Sequence, residues 1–201
     1  MPAGKKRLVI GVTGGFGTGK STVARILRSW GAKVVDADRI AHRLIQAGSP
    51  VYKRLVLAFG AGILKKDRQI NRSALARIAF ASPARLKRLN RIIHPEVIRM
   101  IKKEIKGSAN KEIVLDAPLL IEAGLNRSAD VLVVVKLARK KQIARLKKNT
   151  SLSRQDILKR IGVQMPLKNK VRMADFVIDN NGTIGQTRKQ VQIMRRQLWK
   201  N

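Results

Sequence analysis

Eight consecutive residues, Gly14-Gly-Phe-Gly-Thr-Gly-Lys-Ser21, carry the pattern G-x-x-x-x-G-K-(S/T). Glycines at these places let a chain turn so tightly that several main-chain amides point at one anion, and a helix starting near Lys20 adds its positive end. An ammonium at the place of Lys20 reaches the β- and γ-phosphates of a nucleoside triphosphate, and a hydroxyl at the place of Ser21 offers itself to Mg²⁺. Gly15, Gly17, Thr18, Gly19 and Thr22 complete the expected phosphate cradle. Such a loop says what is bound and leaves open where the terminal phosphate goes. Two acids, Asp36 and Asp38, follow a short apolar run, and a pair there stands out in a chain with only 12 acidic residues. Phosphoryl transfer to an alcohol needs a group that orients the hydroxyl and takes its proton, which a carboxylate can do. A lesser alternative from spacing is that Asp38 is the N-cap of a helix beginning at Arg39. Asp116, at the end of a later apolar run, fits either an acid that holds Mg²⁺ through water or a turn acid ahead of Pro118.

These groups need elements to hold them. The run from Arg7 to Thr13 is apolar without alternation, as in a strand buried on both faces. Val23, Ile26, Leu27 and Trp30 then recur at helical spacing, and Gly31 is placed to end that helix. Lys33 to Asp36 reads as a second strand, which makes a βαβ unit of a parallel sheet. From Ile40 to about Lys106 the patterns are helical: Ser82-Pro83 makes an N-cap with a first-turn proline, and Leu86, Leu89 and Ile93 share a face. Strand-like runs return at Glu112–Asp116, Asp130–Val135 and Phe176–Asp179. Between the last two, Ser153-x-x-Asp156 opens a helix with Ile157, Leu158 and Ile161 on its apolar side. Thr183-x-x-Gln186 opens a final helix carrying Val191, Met194 and Leu198. The expectation is an α/β layer structure with two helical excursions.

Composition narrows the classes. The 201 residues include 44 Lys and Arg against 12 Asp and Glu, so the formal charge is 44 − 12 = +32. With 44% of residues apolar, a core can form, which argues against a disordered polycation. No apolar run approaches the roughly 18 residues needed to span a bilayer, and no signal-peptide pattern opens the chain, so a soluble cytoplasmic protein without a membrane partner is expected. The absence of cysteine excludes disulfides and thiolate chemistry. A positive field this strong draws nucleic acid, anionic membrane and phosphorylated metabolites alike. Only 3% of residues are aromatic, and they are far apart, so no stacking platform for single strands is visible. A generally cationic surface is the simpler reading, with no obligatory nucleic-acid partner; oligomeric state is left open.

Several blocks, taken in order, resemble the dephospho-CoA kinase family. They are Gly11-Val-Thr-Gly-Gly-Phe-Gly-Thr-Gly-Lys-Ser-Thr22, Val35-Asp-Ala-Asp-Arg-Ile-Ala-His42, His94-Pro95, Leu115-Asp-Ala-Pro-Leu-Leu-Ile-Glu122, Arg160-Ile-Gly-Val-Gln-Met-Pro166 and Ala174-Asp-Phe-Val-Ile-Asp-Asn180. The resemblance spans nearly the whole chain. It implies a three-layer P-loop NTPase fold with a parallel central sheet, a helical substrate-binding insertion at about 60–110 and a helical lid at about 139–171. The core would then be about 1–45, 110–138 and 174–201. It implies ATP and Mg²⁺, transfer to the ribose 3′-hydroxyl of dephospho-CoA, and the last step of coenzyme A synthesis. By motif, Lys20 and Asp38 become the catalytic pair, with Asp38 as general base. Arg145 and Asn180 join the loop residues on the ATP side, Asp36, His94 and Pro118 fall on the acceptor side, and Ser21 and Asp116 on the metal. From the residues alone, His94 beside a proline reads as a hydrogen-bonded turn histidine.

One departure stands out. Where the family usually shows an Arg-Asp pair before the Leu-Ser of the lid, this chain has Asn149-Thr150 before Leu152-Ser153. An amide does not replace a bidentate guanidinium in kind; Lys147 or Lys148 stands one or two positions earlier, and Arg145 matches an upstream basic position of the family. Two rival readings follow: a kinase of the same fold for another metabolite or nucleotide, which acceptor profiling separates, and a nucleic-acid-binding NTPase, whose binding must weaken steeply with salt.

Overall fold

In the computed structural model residues 7–199 are described. Five strands form one parallel sheet in the order β2-β3-β1-β4-β5: β1 Leu8–Gly14, β2 Lys33–Asp36, β3 Glu112–Asp116, β4 Val131–Lys136 and β5 Phe176–Asp179. The central strand β1 pairs with β3 and with β4, bringing Val12 opposite Asp116 and Gly14 opposite Val135. It is buried along almost its full length, which explains its unbroken apolar run. Two aspartates start strands by bonding twice to a neighbour. Asp130 accepts from the Val9 amide at 2.7 Å while its own amide donates to the Val9 carbonyl, and Asp175 treats Leu132 in the same way.

The chain divides into two compact units, one of residues 7–35 and 108–199 and one of Asp36–Gly107. The first holds the sheet, with α1 (Lys20–Ser29) and α9 (Ile184–Leu198) against it, and a segment of three helices, α6 (Arg139–Asn149), α7 (Arg154–Gly162) and α8 (Leu167–Arg172). Its core joins Ile10, Val12, Val114 and Val133 of the sheet to Val23 and Leu27 of α1 and to Val191 and Met194 of α9. Those α1 and α9 residues are the apolar positions their periodicity predicts. The caps also form as the sequence indicates: Ser153 accepts from the Asp156 amide, Thr183 and Gln186 make a reciprocal capping box, and Gly31 with φ 96° follows α1.

At the amino end of the sheet, the start of β3, lies a polar cluster. The Glu112 carboxyl is 5% exposed and accepts from Arg195 Nε at 2.8 Å and Trp199 Nε1 at 3.3 Å through one oxygen. The guanidiniums of Arg188 and Arg195 lie over the Trp30 ring at 5.6 and 5.7 Å. Both tryptophans of the chain are here.

The second unit is helical: α2 (Ala37–Leu44), α3 (Pro50–Phe59), α4 (Arg72–Ala79) and α5 (Pro83–Lys106), around a core of Val51, Leu55, Ile63, Ile70 and Leu75. One alternative falls away and one expectation needs correction. The cap of α2 is Asp36 and not Asp38: the backbone is still extended at Asp36, whose Oδ1 accepts from the Arg39 amide at 3.0 Å, and Asp38 lies in the helix's first turn. His94-Pro95 is no turn, because α5 runs through it for 24 residues. A proline there removes one helical hydrogen bond. Val97 and Ile101 beyond it are buried, and Glu96 pairs with Arg54 and Arg99, so packing holds the helix on the far side. Among the described residues no helix is long and apolar enough to cross a membrane.

Candidate active site

The loop that leaves β1 enters α1 at Lys20, and no side chain caps the helix, whose N-cap is Gly19. The first-turn amides of α1 and the preceding loop amides therefore share one end of a helix dipole, the arrangement that attracts phosphate. Inside the loop, Thr18 is fully buried and its hydroxyl donates to the Gly15 carbonyl at 2.9 Å. Lys20 Nζ lies 3.5 Å from the same carbonyl, so its ammonium is folded back over the loop. Ser21 is exposed on the first turn, and the Thr22 amide donates to the Gly19 carbonyl at 3.0 Å.

Two glycines are demanded by neighbours as well as by backbone shape. Gly17 has φ 75°, and a Cβ there would lie 2.7 Å from the side chain of Leu146 on α6. Gly19 has φ 99°, and a Cβ there would lie 2.0 Å from Asn180 Nδ2 and 3.1 Å from an Arg145 guanidinium nitrogen. The loop, Arg145 and Asn180 are thus brought together. Asn180 is 5% exposed; its amide donates to the Thr18 carbonyl at 2.8 Å and its carbonyl accepts from the Thr187 hydroxyl. It buttresses the loop from beneath. Next to it, burial raises the Asp179 carboxyl, but donors from Asn181 and Lys136 outweigh this and hold it below its ordinary range.

The residues after β3 meet the same unit from another side. Asp116 is half-buried at the strand's end, opposite Val12. The Pro118 carbonyl accepts from the Thr13 hydroxyl at 3.2 Å and from Lys170 Nζ at 2.8 Å. Lys170, on α8, is 0% exposed and pairs with Glu122 at 2.9 Å, while the other side of that contact is the Met165 amide donating to Glu122 at 2.9 Å. A fully buried ammonium is tolerable only with such a set of acceptors.

The sequence reading missed the contacts around Phe16. Its amide donates to Gln164 Oε1 at 2.8 Å, its carbonyl accepts from Gln142 Nε2 at 2.5 Å, and the Arg160 guanidinium lies 5.8 Å from its ring. Gln164 and Arg160 belong to a block that carried the resemblance, as does Glu122, so a signal existed for them. Nothing in the sequence marks Gln142. Lys147 and Lys148 are exposed in the last turn of α6, whereas Arg145, one turn back, is half-buried beside the loop. In the helical unit Asp36 caps α2, Asp38 is exposed on its first turn, and His94 is half-buried in α5, with burial pushing its imidazole below the ordinary value.

Among the described residues no group of three or more acidic or histidine side chains could cage a metal. The hard oxygens of Ser21 and Asp116 fit Mg²⁺, which keeps waters and takes one or two protein ligands beside substrate phosphates.

Comparison with known proteins bears on the whole chain. A sequence model of the family described as dephospho-CoA kinase matches residues 8–186. A dephospho-CoA kinase of Carboxydothermus hydrogenoformans is 44% identical over 197 residues, covering 96% of both chains, and one from Syntrophotalea carbinolica is 43% identical over 92% of this chain and 89% of its own. Among solved structures, a Thermus thermophilus protein superposes with a TM-score of 0.85 at 32% identity, covering 98% of both chains. The dephospho-CoA kinase of Campylobacter jejuni gives 0.69 at 26% identity, covering 96% of this chain and 97% of its own. A shikimate kinase from Acinetobacter baumannii gives 0.54 at 16% identity, which speaks to the shared fold alone. With a family match running from β1 into α9, and relatives aligned over nearly their full length, this chain belongs to the dephospho-CoA kinase family.

Proposed function

We propose that the chain transfers the γ-phosphoryl group of ATP to the ribose 3′-hydroxyl of dephospho-CoA, giving coenzyme A and ADP in the final step of coenzyme A synthesis, with the cytoplasm as its compartment. The observation that carries this reading is an intact phosphate loop in a chain 44% identical, over 96% of its length, to a dephospho-CoA kinase. Lys20 and the loop amides bind the polyphosphate and neutralise charge that builds up in transfer. Ser21 and Asp116 are the residues that would hold Mg²⁺; when bound, the ion supplies further neutralisation of the β- and γ-phosphate oxygens.

Asp38 takes the proton of the 3′-hydroxyl. The freed oxygen forms a bond to the γ-phosphorus as the bond to the β–γ bridging oxygen breaks, and ADP leaves with that electron pair. Support for Asp38 over Asp36 is its place as the second acid of the Asp-Ala-Asp block, the position to which the family resemblance assigns the base, while Asp36 serves as the α2 cap. Residues 139–171 act as the lid over ATP, with Arg145 beside Gly19 of the loop, and exclude water so that phosphate goes to the alcohol. The acceptor side includes Asp36, His94 and Pro118.

Mass spectrometry of the product from ATP, Mg²⁺ and dephospho-CoA tests the reading. Coenzyme A is expected from the wild type, and Asp38→Asn should cut its turnover by about a hundredfold or more. Faster ADP release with AMP, a nucleoside or shikimate than with dephospho-CoA would overturn the acceptor, and full turnover in Asp38→Asn would remove the base.

A further inference from the structure

Phe16 sits near the apex of the phosphate loop, and its main-chain amide and carbonyl are both taken up by side chains of the 139–171 segment. Loop residues usually satisfy these groups with water or nearby backbone. Here the acceptor is Gln164 Oε1, between α7 and α8, and the donor is Gln142 Nε2, on α6. The orientation of both amides follows from their partners, since an N–H can face only the oxygen of Gln164 and a C=O only the nitrogen of Gln142. Gln142 is 3% exposed, a polar group retained in a buried place, and its nitrogen lies 3.1 Å from where a Gly15 Cβ would be. Leu146, one turn further on, closes over Gly17. Arg160 covers the Phe16 ring.

We propose that Gln142 and Gln164 are positioning residues that clasp the lid segment to the phosphate loop through the main chain of Phe16, so that loop shape and lid position change together. One residue is gripped from two sides by two separate parts of the segment. The loop cannot flatten without releasing both, and the segment cannot lift without freeing the loop. While the clasp is closed, the amides from Gly17 onward stay turned toward the incoming phosphates, and Arg145 and Arg160 stay beside the loop. This inference rests on residues 139–171 being the lid.

Two readouts test it on the full-length protein. NMR-detected hydrogen exchange at the Phe16 amide, without substrate, needs no turnover, so it separates failure of the clasp from failure of the proposed reaction. Gln164→Ala should speed that exchange, whereas Gln164→Glu, which keeps an acceptor oxygen, should leave it slow. In turnover with ATP, Mg²⁺ and dephospho-CoA, Gln164→Ala should raise the ATP KM about three- to tenfold, the usual worth of one hydrogen bond. Its kcat should change less than about twofold, with more ATP hydrolysed when no acceptor is present. A merely structural glutamine would lower the melting temperature and leave the KM-to-kcat split and the hydrolysis unchanged. Unchanged exchange in Gln164→Ala, or Gln164→Glu behaving like alanine, overturns the clasp; faster exchange with an unchanged ATP KM overturns its link to the lid.

Discussion

The two ends of the sheet use polar groups in opposite ways. At the amino end, Arg195 and Trp199 both donate to one oxygen of Glu112, and the Arg195 guanidinium lies over the Trp30 ring. At the carboxyl end, about 20 Å away along β1 at some 3.3 Å per residue, amides and an ammonium crowd one tight loop whose charge is all positive. The first cluster pairs its charges within the protein, leaving the buried Glu112 Oε1 without a hydrogen bond among the described residues, and the second is completed by a polyanion. Stability and function are thus sorted by direction along the same strands, as expected where parallel strands place their ligand beyond their carboxyl ends.

Lys20→Ala is the most severe way to probe this contrast. It should lower transfer by about a hundredfold or more, in the range found for removing one preorganised group from a transition state, while thermal unfolding barely moves. A large loss of melting temperature would erase the distinction between the ends. Gly17→Ala comes next: the positive φ and the contact with Leu146 should together cost about 1–3 kcal/mol in chemical denaturation and raise the ATP KM. Trimming Leu146 to alanine in the same chain should recover part of the steric share, read as non-additivity in a double-mutant cycle. At the amino end, Glu112→Gln keeps an acceptor for Arg195 and Trp199 but loses the charge, so unfolding should become easier by roughly 1–2 kcal/mol with kcat and KM unaltered. Altered kinetics there would show that the ends communicate.

The smallest effect belongs to the helical unit. Burial lowers the His94 imidazole below its ordinary 6.5. As pH falls below 6.5 the unfolded chain takes up a proton that the folded chain still refuses, so stability present above that pH declines as pH drops through the lowered folded value. Denaturation midpoints at pH 7 and pH 5.5 should differ, and His94→Gln should shrink the difference.

Much of this is legible in the sequence. The strand, glycine loop and helix announced themselves by local pattern, since buried strands, caps and a helix face each leave a periodic or positional mark. The clasp left none: Gln142 is one polar residue on a basic helix, and only the packing of α6 on the loop makes it different from its neighbours. His94-Pro95 misled because a proline's local preference lost to the packing of Val97 and Ile101. The spacing offered Asp38 as the α2 cap, and the cap falls on Asp36 because of where β2 stops, which local pattern does not show.

Lys170 sets a mechanical limit on any movement of residues 139–171. With its ammonium sealed against the Pro118 carbonyl and Glu122, and the Met165 amide tied to the same carboxylate, α8 is a fixed post on the sheet. Any swing of the segment must pivot upstream of that post. Gln164 sits directly at its foot, on the shortest possible tether, while Gln142 rides on an arm rooted at the far side in β4. The start of α6 is held as well, by the Ala138 amide and the Lys141 ammonium on Asn181, so movement is confined to the stretch between two fixed ends.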